Sequence, residues 1–152
     1  MKKSTHNFLS IYIDGAARGN PGPAGIGVVL EDVNKQVVKN VDKFIGNATN
    51  NVAEYTALIV GMDEAYKLGA KEIAVNTDSE LLAKQLGGEY KVKNPVLKGL
   101  HAEILKILNN FDKVVINNIP REDNKGADKL ANKAIDNSAK IRVGRSFILK
   151  SK

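Results

Sequence analysis

The period of the apolar positions switches repeatedly along this chain between that of a strand and that of a helix, and the switches mark out its elements. Phe8-Leu-Ser-Ile-Tyr-Ile13 is short, β-branched and aromatic, which predicts a buried strand with Asp14 following it directly. Runs near Ile26 to Glu31 and Gln36 to Phe44 predict two more strands, and their tight connections make the three antiparallel. From Asn50 to Leu68 the period becomes helical, with Glu54, Ala57, Leu58, Gly61 and Ala65 recurring on one stripe. Ile73-Ala-Val-Asn-Thr77 predicts a central strand, and Ser79 to Leu86 and Val96 to Asn110 predict helices. A strand near Lys113 to Ile119 and a helix over Asn124 to Ile135 complete the order. Strands separated by helices run parallel, so the pattern predicts an α/β fold: a mixed five-stranded sheet with helices on both faces and the first strand central.

Four carboxylates break this pattern. Asp14 and Asp78 stand at the carboxyl ends of predicted strands, where ligands of such sheets commonly bind. Glu54 occupies a place on the core-facing stripe of its helix, and Asp128 lies one turn into the last helix, in line with Ala131 and Ile135. A buried charge is costly unless compensated. Each acid also has a local reading: Asn51-x-x-Glu54 resembles a capping box, Asp78 suits a helix N-cap, Asp14 suits a turn and Asp128 complements a helix dipole. Four such placements converging on one sheet edge point to a metal site.

In order along the chain stand Asp14-Gly15 followed by Gly19-Asn-Pro-Gly-Pro23, Ala48-Thr-Asn-Asn-x-x-Glu54, Thr77-Asp-Ser79, and Asn124-Lys-Gly-Ala-Asp-Lys-Leu-Ala-Asn132. This set resembles the ordered motifs of the type 1 ribonuclease H family, from about Phe8 to Ile135. Members of that family hydrolyse the RNA strand of an RNA/DNA hybrid with two divalent ions held by an Asp-Glu-Asp-Asp set. The resemblance implies a ribonuclease H-like fold, with Asp14 bridging the ions, Glu54 and Asp78 on one and Asp128 on the other. Two ions about 3.5 to 4 Å apart activate the attacking water and stabilise the leaving oxygen. Oxygen ligands suit Mg2+, with Mn2+ the alternative. With no cysteine and two histidines, His6 and His101, a zinc site of the usual kind is disfavoured.

The resemblance also assigns substrate contacts to Gly15, Asn20, Thr49, Asn50 and Asn51, although capping of the following helix explains Thr49 to Asn51 equally well. The 2′-hydroxyl that distinguishes RNA needs such donors and acceptors. Two departures stand out. The loop before the last acid reads Asn117-Asn-Ile-Pro-Arg-Glu-Asp-Asn124, without the histidine many members carry; Arg121 is its only cation and a candidate contact to the scissile or leaving phosphate. The basic, tryptophan-bearing insert of many bacterial members is missing too, and Lys84, Lys91, Lys93 and Lys98 would supply part of its charge. The segment Lys140 to Lys152 is basic with strand-like alternation, which fits phosphate binding, an extra edge strand or disorder.

Composition agrees. The 152 residues, 43% hydrophobic, make one ordinary domain, read as a tail over residues 1–7, a catalytic domain over 8–137 and a basic tail or edge strand over 138–152. A net charge of +6 suits a polyanion partner. No run of about twenty apolar residues and no apolar signal core are found, so a cytoplasmic protein without a membrane partner, acting as a monomer, is expected. The readings that follow are an endonuclease on RNA/DNA hybrids, an enzyme whose activity extends to double-stranded RNA, and a hybrid-binding module without catalysis. A pure binder would gain by losing acids that repel one another without metal, which favours the enzyme.

Overall fold

β1 (Phe8–Ala17) is the axis on which the rest of the chain is hung. The computed structural model describes residues 6–151, with side chains described over residues 6–138. After β1 come β2 (Gly22–Glu31), β3 (Val37–Ala48), α1 (Asn50–Lys67), β4 (Glu72–Thr77), α2 (Glu80–Leu86), α3 (Pro95–Leu108), β5 (Lys113–Asn118), a 3₁₀ turn Arg121–Asp123, and α4 (Lys125–Ser151). The five strands form one sheet in the order β3-β2-β1-β4-β5. The β1–β2 and β2–β3 pairs are antiparallel, whereas β4 is parallel to both β1 and β5. The mixed α/β sheet with a central first strand is as the periodicity predicts.

Alternation along β1 and β2 sends Leu9, Ile11, Ile13, Ile26, Val28 and Leu30 to one face, where they meet Leu58, Met62 and Ala65 of α1 in the main core. Gly61 brings α1 onto this face: a Cβ there would lie 2.8 Å from Ile11 Cγ2. On the other face of β2 stand Gly25 and Gly27, and α4 packs on them through Ala127, Ala131, Ala134 and Ile135, all buried.

Helix starts follow side-chain capping. Thr49 Oγ1 accepts from Val52 N, Ser79 Oγ accepts from Leu82 N, and Asn94 Oδ1 accepts from the amides of Val96 and Leu97 ahead of α3. The capping box of Asn51 with Glu54 is therefore not formed, and Ser79 rather than Asp78 caps α2. In Thr49-Asn-Asn51 three consecutive residues have capping chemistry, and the first is in the extended conformation the cap needs.

β2 begins at Gly22 rather than near Ile26, β3 runs on to Ala48 rather than ending near Phe44, and two further boundaries bear on the site and the C-terminal segment. β1 runs past Asp14 to Ala17, because its antiparallel partner β2 continues opposite Gly15 to Ala17 after the parallel ladder with β4 has ended at Ile13. Asp14 is thus inside a strand rather than beyond one. α4 continues to Ser151, so the backbone of the basic C-terminal segment is helical and forms no edge strand. Extending an existing helix avoids the cost of nucleation, and Ala139, Lys140 and Arg142 are good helix formers, which outweighs the alternation that follows. Of the leading tail, residues 1–5 lie outside the described residues. No helix among the described residues is long and apolar enough to cross a membrane.

Candidate active site

Strand register brings the first two acids together. In the parallel ladder Ile13 pairs with Thr77, so Asp14 and Asp78 are the next residues on two adjacent strands, just past the last rung. Glu54 arrives from α1. Gly15 makes this possible, since a Cβ on it would lie 2.2 Å from Ala53 C and 2.4 Å from Glu54 N. With only hydrogen there, the α1 backbone settles on β1, and Gly15 N donates to Glu54 Oε1 at 3.2 Å. Carboxylate oxygens of Asp14, Glu54 and Asp78 lie within 4.8 Å of one another.

Asp128 joins from the first turn of α4, on the Asp14 side of the group. It stands outside the 4.8 Å trio but lines the same cleft and can share a hydrogen bond with the Asp14 carboxyl. Asn132, one turn on, donates from Nδ2 to the Asp128 carbonyl at 3.0 Å and to Asp128 Oδ1 at 3.3 Å. Asn132 Oδ1 in turn accepts from Arg18 Nη2 at 3.2 Å, while Arg18 Nη1 pairs with Asp136 Oδ1 at 2.6 Å. That surface ion pair contributes little to stability by itself but fixes the β1–β2 turn against α4.

Crowded carboxylates hold their protons. Burial, then the nearby charges of Asp78 and Asp128, pushes Asp14 up to about 8. Burial, followed by Asp14 and Asp78, pushes Glu54 up to about 9, against the opposing effects of the Gly15 amide and the Arg121 guanidinium. Such a group gains from a divalent cation, which would replace the protons as the compensating charge. The donor set of hard carboxylate oxygens, with no nitrogen or sulfur, fits Mg2+ or Mn2+.

The acids open into a cleft of about 500 Å³ whose walls include Gly15, Ala16, Ala17, Asn50, Asn51, Ser79, Arg121, Asp128 and Asn132. Arg121 is the only cation among these lining residues. Of the substrate contacts expected from sequence, Gly15, Asn50 and Asn51 line this cleft, and Asn20 and Thr49 are not among its lining residues. Asn20 Oδ1 accepts from Asn50 N at 2.9 Å, and Asn50 Oδ1 accepts from Ala17 N at 3.0 Å. The two asparagines tie the β1–β2 turn to the start of α1.

None of the lysines expected to supply part of the missing insert's charge lines this cleft. Lys84 pairs with Glu80 at 3.1 Å and sits over the Tyr90 ring, while Lys91 and Lys98 line a separate cleft of about 360 Å³ with Tyr90 and His101. The loop before α3 is held by the buried Gln85, which accepts from Tyr55 Oη and donates to the Lys91 carbonyl at 3.4 Å. The sequence alone does not single out Arg18, and Asn132 stands in it only as the end of the last motif; its position four residues after Asp128 is the available signal. Asn124 was noticed only as part of a motif.

Comparison with known proteins places this arrangement. The family profile described as "Reverse transcriptase-like" matches residues 12–134. A bifunctional protein of Mycobacterium tuberculosis is 46% identical over 130 residues, covering 85% of this chain and 36% of that protein, so the chain spans about a third of that relative. Ribonuclease HI of Halobacterium salinarum is 42% identical over 127 residues, 84% of this chain and 64% of that protein. The crystal structure of RNase H1 from that archaeon superposes with a TM-score of 0.84, covering 86% of this chain and 98% of that one. LC11-RNase H1, crystallised in complex with RNA/DNA hybrid, is 46% identical with a TM-score of 0.83, covering 86% of this chain and 99% of that one. With 41 to 46% identity and TM-scores of 0.83 to 0.84 to RNase H1 structures that this chain covers almost completely, the chain belongs to the type 1 ribonuclease H family.

Proposed function

We propose that this protein is a metal-dependent endonuclease that hydrolyses the RNA strand of RNA/DNA hybrids. The observation that carries the reading is the convergence of Asp14, Glu54 and Asp78 within 4.8 Å, with Asp128 beside Asp14 in one open cleft. Asp14 belongs to the trio and can also share a hydrogen bond with Asp128, so Asp14, Glu54 and Asp78 would hold one ion and Asp14 with Asp128 a second. When bound, such ions supply Lewis-acid stabilisation of the phosphate and an activated water.

The protein residues hold and orient. Gly15 N keeps the Glu54 carboxylate turned towards Asp14. Arg121, which lines the cleft and whose charge acts on Asp14 and Glu54, would contact the scissile phosphate or the leaving oxygen. Asn20 and Asn50 spend their carboxamide oxygens on backbone amides, which leaves their N–H₂ groups as donors. Asn50, Asn51 and the Gly15 backbone would then offer donors to the 2′-hydroxyls and minor-groove acceptors of the hybrid. Thr49 contributes as the cap that fixes this start of α1.

The test is cleavage of end-labelled RNA/DNA hybrid, RNA duplex and DNA duplex with Mg2+, Mn2+ or chelator, beside Asp14→Asn. Metal-dependent cutting of the RNA strand of the hybrid, lost in Asp14→Asn while hybrid binding is kept or tightened, is expected. Cutting of RNA duplex as well would widen the substrate class. Hybrid binding without cleavage under either ion would overturn the enzymatic reading.

A further inference from the structure

We propose that Asn124 is a positioning residue for the metal-binding carboxylates, locking Asp78 to the end of β1 and to the start of α4; the inference rests on the metal-dependent reading above. Asn124 is 1% exposed and immediately precedes α4. Its Nδ2 donates to Ile13 O at 2.8 Å and to Asp78 Oδ2 at 3.3 Å. Its own carbonyl accepts from Asp128 N at 3.1 Å.

The consequence is geometric. Ile13 is the residue before Asp14, so one carboxamide touches the backbone that presents the first acid and the side chain of the third, while the same residue's backbone anchors the turn that presents the fourth. Three acids from β1, the end of β4 and α4 are thereby referred to one buried group. Without it, Asp78 follows the last rung of the parallel ladder and its carboxylate would lose the one side-chain donor given to it among the described residues.

A second observation separates this role from that of an ordinary helix start. Asn124 Oδ1 is the single buried side-chain oxygen or nitrogen among the described residues that finds no partner. Leaving a buried acceptor unmatched costs stability, and such groups in folded proteins call for an explanation. Here both N–H bonds of one amide are aimed at Ile13 O and Asp78, and the carbonyl end is left over. A residue selected only to begin α4 would turn that oxygen onto the free amides of the first helical turn, as Thr49, Ser79 and Asn94 do at the other helices. The polarity of the amide is set by the β1 carbonyl and the acid together.

Two measurements test the proposal. In the first, Mn2+ affinity without nucleic acid, by titration calorimetry, and kcat and KM on hybrid are compared for wild type, Asn124→Ala and Asn124→Asp. Asn124→Ala is expected to weaken Mn2+ binding at least fivefold and to lower kcat at least tenfold, with KM within twofold. Asn124→Asp, which sets a second carboxylate against Asp78, should be worse on both. If the folded variants bind Mn2+ as wild type does, the proposal fails, whatever their turnover. The second measurement needs no substitution: in nitrogen-labelled wild-type protein the Asn124 side-chain amide signals should move on Mg2+ addition, with the half-saturation of the backbone signals at Asp14 and Asp78. Amide signals indifferent to Mg2+, while those backbone signals shift, would equally overturn it. Wild-type protein that binds no metal and cuts no hybrid would instead refute the functional reading itself, so the two failures are distinct.

Discussion

Gly27→Ala tests whether the position of the fourth acid is set by backbone contact between β2 and α4. Gly27 pairs with Asp14 across the antiparallel ladder and faces α4. A Cβ there would lie 2.1 Å from Ala127 O, 2.8 Å from Ala131 N and 2.8 Å from Leu130 Cβ. The first two are backbone atoms that no rotamer change can move. To restore the 3.4 Å at which ordinary contact begins, α4 must withdraw by more than 1 Å along that direction. Overpacking of this kind costs roughly 1 to 3 kcal/mol, and a clash with helix backbone belongs at the upper end. For a chain of this size that is a fall in melting temperature of about 6 to 12 °C. Asp128 is the neighbour of Ala127 on the same turn and moves with it. A misplacement of about 1 Å in a catalytic group can cost on the order of a hundredfold in rate. The assay is calorimetric melting together with initial cleavage rates on labelled hybrid, at a temperature where both proteins are folded. Gly99→Ala is the control, because nothing lies within 4 Å of a Cβ at that site in α3, and it should raise stability by about 0.4 to 1 kcal/mol. A Gly27→Ala protein that melts within about 1 °C of wild type and cuts at the wild-type rate would refute the reasoning.

Other outcomes follow from the same geometry. Asp14 and Glu54 have raised values when folded, so the metal-free protein binds more protons than its unfolded chain between the ordinary carboxylate range and about 8 to 9, and its stability falls as pH rises through that window. Melting should therefore drop from pH 5 to pH 8.5 by roughly 4 to 8 °C if about 2 kcal/mol of that coupling is realised, and Mg2+ or Mn2+ should restore more at pH 8.5 than at pH 5; a flat profile would contradict the crowding. Arg121→Ala should lower kcat at least tenfold, an effect of about 1.4 kcal/mol on the barrier, with hybrid binding measured by anisotropy nearly intact. Unchanged turnover would remove Arg121 from the site's chemistry. Tyr55→Phe leaves the buried Gln85 without its donor and should cost about 1 to 3 kcal/mol in denaturant titration, and a value near zero would show that Gln85 finds another partner.

What could be read in the sequence was what local pattern encodes. Period 2 and period 3.6 are properties of neighbouring residues, so β4, β5 and α1 fall within a residue or two of their expected ends. The four acids were legible because each breaks its own element's pattern. What escaped depends on partners distant in sequence. The donation of Asn124 to Ile13 O spans 111 residues and that to Asp78 spans 46. The extension of β1 past Asp14 is decided by where β2 and β4 stop, and neither end is written in β1 itself. The C-terminal alternation of Ile141, Val143, Phe147 and Leu149 leaves an edge strand open as one of three readings, because period alone takes no account of a helix already running into it. Thr49, Asn50 and Asn51 share one capping chemistry, and only backbone conformation chooses among them.

The same close approaches that form the site also create its electrostatic difficulty. Gly15 lets α1 reach β1, Gly27 lets α4 reach β2, and the ladder ending at Ile13 and Thr77 puts two acids side by side. Each step removes space that water would otherwise fill, so carboxylates brought within 4.8 Å cannot all stay ionised by solvation alone. A protein selected only to fold would relieve that strain by replacing one acid, and Asp14→Asn should accordingly raise the melting temperature of the metal-free protein at pH 8. That the chain keeps all four, and holds two of them with buried or backbone amides, is what a site that draws its compensating positive charge from bound cations requires.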